Sequence, residues 1–177
     1  HGAVVAEAAI EYRRWSEIAF LDDSTSETTV VGLPVMGPID DFETYLDSET
    51  DVIVALGNNA KRIALLDRLT EFECNIASII HPTAIVSSSA SIDVGSVLCA
   101  GVIVNARATI GRGAILKTAC TIDHDCTLQD GVHVSPGANL AGNVSVDRRS
   151  WVGIGSAVRE GISIGKDCIV GAGSAVI

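Results

Sequence analysis

Five cysteines, an odd number, form no CxxC pair and no spacing typical of a disulfide framework. That excludes a stapled extracellular scaffold and points to a reducing cytoplasm. No apolar run is long enough to span a bilayer, and no basic-then-apolar leader is present, so neither membrane insertion nor export is expected. Bases are few: 12 Lys and Arg stand against 22 Asp and Glu, a net charge of −10. Phosphate-backbone binding relies on clustered bases, so nucleic acid is not an expected partner. The acidity is lopsided, because residues 1–79 hold 15 acids and 5 bases while residues 80–177 hold 7 of each. The single GxSxG match, Gly161-Ile162-Ser163-Ile164-Gly165, is followed by no helical pattern that would make it a strand-to-helix elbow, which disfavours a serine nucleophile. GxGxxG is missing, so no nucleotide-binding fingerprint stands alone.

What the chain does have is a repeat. Every sixth residue from Ile80 to Val176 is isoleucine, leucine or valine, without exception. Six is the period of neither an amphipathic helix nor an alternating strand. It fits a parallel β-helix in which short strands stack from coil to coil. Four residues after each aliphatic comes a second register, from Ala84 to Ser174, that is nearly all small. The two registers predict a triangular prism of eighteen residues per coil, with branched aliphatics inside each flat face and small residues inside each corner. Cys120, Cys126 and Cys168 fall in the small register and are expected inside as small apolar residues. Gly111, Gly153, Gly165 and Gly171, with Asn105 and Asp123, directly follow aliphatics and are expected at corners where φ turns positive.

Residues 1–79 read as a small α/β unit. A helix is predicted over 3–15, with Val4, Val5, Ala8, Ala9 and Tyr12 at helical spacing. Short strands are predicted at 18–21 and 51–56, the second followed by Gly57-Asn58-Asn59. A helix then runs to about Phe72, with Ile63, Leu66, Leu69 and Phe72 facing inward. Strand, glycine-containing turn and helix in this order suit half of a doubly wound nucleotide-binding fold. The ends read as cut, with flanking sequence expected before His1 and after Ile177.

The hexad register also sorts the histidines. His124 lies at a corner and points outward, His133 precedes interior Val134 and also faces out, and His81 stands at the entrance to the prism. The run Ile122-Asp123-His124-Asp125-Cys126 flanks His124 with carboxylates. A carboxylate can fix the tautomer of an imidazole and raise its basicity, as a general base requires. Spacing alone leaves open a solvated corner as well as a base. Zinc needs three or four ligands; only His124 and His133 lie close in the repeat, so no metal is expected.

The motifs Phe20-Leu21-Asp22-Asp23, Ala55-Leu56-Gly57-Asn58-Asn59, Ile80-His81-Pro82, Ile122-Asp123-His124-Asp125-Cys126 and His133-Val134-Ser135-Pro136-Gly137, after the opening His1-Gly2, resemble a known family in the same order. That family is the sialic acid O-acetyltransferase / nucleotide-amino-sugar N-acetyltransferase family of bacterial hexapeptide-repeat acyltransferases. The resemblance implies a truncated Rossmann-like sugar-nucleotide domain over 1–79, lacking its first strand, and a left-handed β-helix over 80–177. It implies a homotrimer with acetyl-CoA between neighbouring β-helices. His124 matches the family's base and Asp125 the acid that supports it, which is glutamate in the best-known amino-sugar members. His133 matches a residue at the CoA thioester, and Gly142, Ile154 and Ala172 match backbone contacts to CoA. Asp22, Asp23 and Gly57 match the nucleotide-sugar site, and His1 matches the last residue of a glycine-rich substrate loop.

The expected function is therefore N-acetylation of a nucleotide-linked amino sugar in surface glycan synthesis. Sialic acid or other sugar O-acetylation is the alternative within the enzyme class. A non-catalytic β-helix scaffold is the second alternative, and a carbonic-anhydrase-like metalloenzyme on the same fold is the third.

Overall fold

In the computed structural model, which describes residues 1–23, 26–47 and 49–177, the hexads form the predicted prism. Each contributes a two-residue strand and a four-residue corner. Thr121 points out and Ile122 points in, and both pair in parallel with Ile103 and Val104 below and Asn139 and Leu140 above. The register is eighteen residues on every face. Three parallel sheets of six, five and six strands result, together a left-handed parallel β-helix. One sheet contains Thr121 and Asn139, the next contains Thr127 and Ser145, and the third contains Ile115, His133 and Trp151.

Both registers lie inside along the middle of the column. Leu98, Leu116, Ile122, Val134, Val146 and Val152 are 0% exposed, as are Ala114, Cys120, Cys126, Ala138 and Ser150. Each fully buried Val, Leu or Ile contributes about 1.5–3 kcal/mol, and no wider side chain would fit the narrow interior. The terminal coils are looser: Ile80, Val86, Val170 and Val176 are only half-buried. Cys168, expected inside, is exposed. It lies in the uppermost coil described, where no further coil covers the small register.

The corners depart from expectation in one respect. Positive φ recurs at every sixth residue from Gly95 to Gly173, three residues after each aliphatic rather than one. Gly111, Gly153, Gly165 and Gly171 are absent from that set. Gly111 is needed for close approach instead, since a Cβ there would sit 2.8 Å from the Asp130 amide nitrogen.

The first segment packs on the column. Helix α1 (Gly2–Tyr12) ends at Arg13 in the left-handed conformation, earlier than the predicted 15. Its buried residues are Val5, Ala6, Ala8 and Ala9, whereas Val4 and Tyr12 are exposed. Strand β1 (Phe20–Leu21) pairs with β3 (Leu33–Gly37), which also pairs with β2 (Thr29–Val30). A short α2 (Phe42–Tyr45) follows. The predicted strand over 51–56 is hydrogen-bonded only as β4 (Asp51–Val52), paired with β5 (Asn75–Ile76). Helix α3 (Asn59–Glu71) starts at Asn58, whose side-chain oxygen accepts the Lys61 amide. Ile63, Leu66 and Leu69 are buried, but Phe72 lies past the helix end and is 51% exposed, meeting only the edge of Phe42.

One corner of the column is shaped for α3. Gly95, Gly113 and Gly131 stack there, and a Cβ on any of them would collide with Leu66 or Ile63. Beside them lies Arg62, 0% exposed. Its Nε donates to the Gly113 carbonyl at 2.7 Å, Nη1 to Leu56 at 2.8 Å, and Nη2 to Gly131 at 2.8 Å. Nη2 also donates to Asn59 Oδ1 at 2.9 Å. Burial lowers the Arg62 pKa to about 10, so the group remains a cation at neutral pH. The segment is thus fastened to the column by two branched side chains and one fully engaged guanidinium.

Candidate active site

His124 occupies the corner between the Thr121 and Thr127 strands and projects outward, its side chain 51% exposed. Asp125 follows at φ 60, a conformation that aspartate tolerates better than most residues. The carboxylate lies against the ring, with Asp125 Oδ2 2.7 Å from His124 Nδ1. Asp123 Oδ1 accepts the His124 amide at 2.8 Å and the Asn105 side-chain amide at 2.9 Å.

Arg107, one coil below, donates from Nε and Nη2 to the two oxygens of Asp125, both at 2.6 Å. This hydrogen-bonded guanidinium, and then the His124 contact, hold the Asp125 pKa down at about 2. Asp123 is also lowered, first by its Asn105 bond and then by the His124 amide. An ionised carboxylate at Nδ1 selects the tautomer with its proton there, which leaves the Nε2 lone pair free to take a proton.

Gly142, on the coil above, meets the far edge of the ring: a Cβ would lie 2.6 Å from both Nε2 and Cε1. Gly142 is therefore glycine for space. In Gly142→Ala the ring is expected to swing away from Asp125, lowering kcat about 100-fold with little change in Tm. Steady-state kinetics and a thermal melt check this. A shallow groove of about 440 Å³ lies beside this corner, lined by Ile103, Thr121, Asn139, Ala141 and Ala157 among others.

His133 sits on a different face and is not the solvated residue its outward register suggested. It is 8% exposed, stacked on Trp151 at 4.7 Å and 6° between planes. The first segment covers it, bringing the Gly57 backbone into hydrogen-bonding range. Burial, the Arg62 charge and the Lys117 charge together push its pKa down to about 4 against the pull of Gly57. Its Nδ1 is buried without a partner among the described residues.

The sign of the linkage follows from that depression. An unfolded imidazole binds a proton below ~6.5, while the folded one binds only below about 4. Stability is therefore full above about 6.5 and declines as pH falls toward about 4, by about 3 kcal/mol in all. Urea melts between pH 7 and pH 4 are expected to show this loss in the wild type and a smaller one in His133→Asn.

Other expected site residues fall on the same side as His133. His1 Nδ1 is 3.2 Å from Lys117 Nζ, joining the start of α1 to the column. Ile154 and Ala172 line an apolar hollow of about 370 Å³ with Trp151 and Ile169. Gly57 is half-buried, and a Cβ there would meet open space. Asp22 and Asp23 lie just past β1, and Asp23 Oδ1 accepts the Ile39 amide at 2.7 Å.

The structure thus brings His124, Asp125 and Gly142 together at one corner. His1, Gly57, His133, Ile154 and Ala172 gather elsewhere, around Trp151 and the seam with the first segment. One protomer does not unite the two groups. Sequence reasoning missed Arg107, Arg62, Lys117 and Trp151. Arg107 and Trp151 had a usable signal, Arg107 being one eighteen-residue coil before Asp125 and Trp151 one after His133. Among the described residues, no three His, Cys, Asp or Glu side chains cluster as metal ligands. No helix among them is long and apolar enough to cross a membrane.

A histidine–carboxylate pair thus stands on an exposed corner of a left-handed column of hexads, an architecture shared with acetyltransferases of known structure. Residues 1–69 match the PglD N-terminal domain. The whole chain superposes on the acetyltransferase domain of PglB from Neisseria gonorrhoeae FA1090, with 40% identity, TM-score 0.97 and 86% of that domain covered. The same domain solved in complex with acetyl coenzyme A matches 99% of the chain at 39% identity and TM-score 0.94, with 87% of that chain covered. PerB from Caulobacter crescentus, in complex with CoA and GDP-perosamine, matches all of it at 35% identity and TM-score 0.93, with 84% of that chain covered. The chain belongs to the nucleotide-amino-sugar N-acetyltransferase family.

Proposed function

We propose that the protein transfers the acetyl group of acetyl-CoA to the amine of a nucleotide-linked amino sugar in surface glycan synthesis, with His124 as general base. The observation that carries the reading is the His124–Asp125 contact at 2.7 Å on an exposed corner. The relatives crystallised with acetyl coenzyme A and with GDP-perosamine support the substrate classes.

The neutral sugar amine attacks the thioester carbonyl while His124 Nε2 takes up its proton. Asp125 stabilises the imidazolium that forms. The Gly142 N–H donates to the oxyanion of the tetrahedral intermediate. Its collapse breaks the C–S bond, and CoA leaves as the thiolate, which is protonated to the thiol. No acyl-enzyme forms, so both substrates bind before reaction.

Residues 1–79 serve as the sugar-nucleotide domain, with Asp22, Asp23, Gly57 and His1 at the substrate. Residues 80–177 serve as the acyltransferase domain, with His133, Gly142, Ile154 and Ala172 at CoA. The separation of these groups within one chain supports a homotrimer, in which the His124 corner of one copy faces the Trp151 side of the next.

The test measures thiol release from acetyl-CoA with UDP-, GDP- and CMP-linked amino sugars and their hydroxyl counterparts. Release with an amino sugar alone is the expected result. Release only with hydroxyl acceptors would move the assignment to O-acetylation, and no release with any acceptor would favour a scaffold.

A further inference from the structure

Arginine is a costly residue at the left-handed corner that Arg107 occupies, with φ 59. Its side chain climbs one coil and grips both Asp125 oxygens at 2.6 Å, while Oδ2 of the same carboxylate meets His124 Nδ1 at 2.7 Å. Asp125 is therefore shared between a cation and the imidazole. Aspartate is one methylene shorter than glutamate, so its carboxylate depends more on its backbone and on whatever grips it from outside.

The same fork recurs between Arg149 and Asp167, at 2.7 and 2.6 Å, on another corner. There, among the described residues, the carboxylate meets Arg149 and no imidazole. The fork alone is thus a way of stapling adjacent coils, and the histidine is what distinguishes Arg107. The other charged group facing His124 is Asp123 on its own corner, with neutral Asn105 below and the Gly142 backbone above.

We propose that Arg107 is a positioning residue for the reaction: it aims Asp125 at His124 Nδ1 and offsets part of the carboxylate's pull on the imidazolium. The proposal rests on the reading of His124 as the base. A two-point grip fixes the carboxylate plane in a way that a single ammonium does not. Removing the positive charge beside Asp125 would leave that carboxylate a stronger partner for an imidazolium.

The test compares Arg107→Gln, Arg107→Lys and Arg149→Gln in kcat, KM, pH profile and Tm. Arg107→Gln is expected to lower kcat about 10- to 100-fold with both KM values little changed. The acid limb of kcat/KM should move to higher pH. Arg107→Lys should restore the limb but only part of kcat. Arg149→Gln should lower Tm comparably and leave kcat and the pH profile unchanged. If Arg107→Gln behaves like Arg149→Gln, or loses kcat with an unmoved limb, Arg107 is only a staple and the proposal is overturned. Full activity in His124→Ala would instead remove the base assignment itself, a different result from wild-type kinetics in Arg107→Gln beside an inactive His124→Ala.

Discussion

His124→Ala is expected to lower kcat by about two to four orders of magnitude, the usual contribution of a positioned general base. The KM for acetyl-CoA should change little, because a general base acts on the proton of the amine and does not hold the bound thioester. The fold should be indifferent, since the ring is half-exposed and fills no interior slot. Its main packing neighbour is Gly142, which has no side chain to lose contact with. Raising the pH should recover part of the rate, as hydroxide and a deprotonated amine replace the missing base. The measurement is initial CoA release at saturating substrates, with circular dichroism to confirm the fold. Wild-type turnover in the variant would show that the amine loses its proton elsewhere.

The second large effect concerns Arg62. Arg62→Met keeps an unbranched apolar stem but removes the guanidinium, leaving the carbonyls of Leu56, Gly113 and Gly131 without their donor. Stranding buried acceptors, and breaking the most deeply buried polar link between segment and column, should cost about 3–5 kcal/mol. The loss should be local. The column between Leu98 and Val158 is held by its own ladder and interior, so it should stay folded while the first segment opens. Hydrogen exchange reads this directly: amides in β4 and α3 should lose protection, while amides at residues 115–146 keep it. Arg62→Lys should rescue little, because one ammonium cannot reach carbonyls arranged around a planar fork. Unchanged exchange across 51–72 would show that the guanidinium contributes nothing to the attachment.

The prism was legible because a single period governs it. Once six residues make a strand and a corner, the place of Ile122 or Cys120 follows by counting, and so does the outward aim of His124. Arg107 was equally countable, although nothing local to His124 draws attention to a residue eighteen positions earlier. The surroundings of His133 were countable only in part: Trp151 lies one coil above, but Gly57 comes from far off in the chain. The first segment was read less well for a related reason. Apart from β3, its strands span two residues, so a longer apolar run such as 51–56 overstates them. Helix α1 ends by a left-handed cap at Arg13, a residue type that carries no turn signal. Cys168 shows the limit of counting itself, since an interior register needs a neighbouring coil on each side.

The glycine corner beneath α3 has a consequence for the design of hybrids. Gly95, Gly113 and Gly131 form a smooth track, which the next two coils continue as Arg149 and Asp167. Helix α3 docks on the glycine stretch of that edge, away from the His124 corner. A foreign module bearing two branched side chains and a guanidinium at the spacing of Ile63, Leu66 and Arg62 should seat on that track. Acceptor choice could then be exchanged while the transfer chemistry stays where it is.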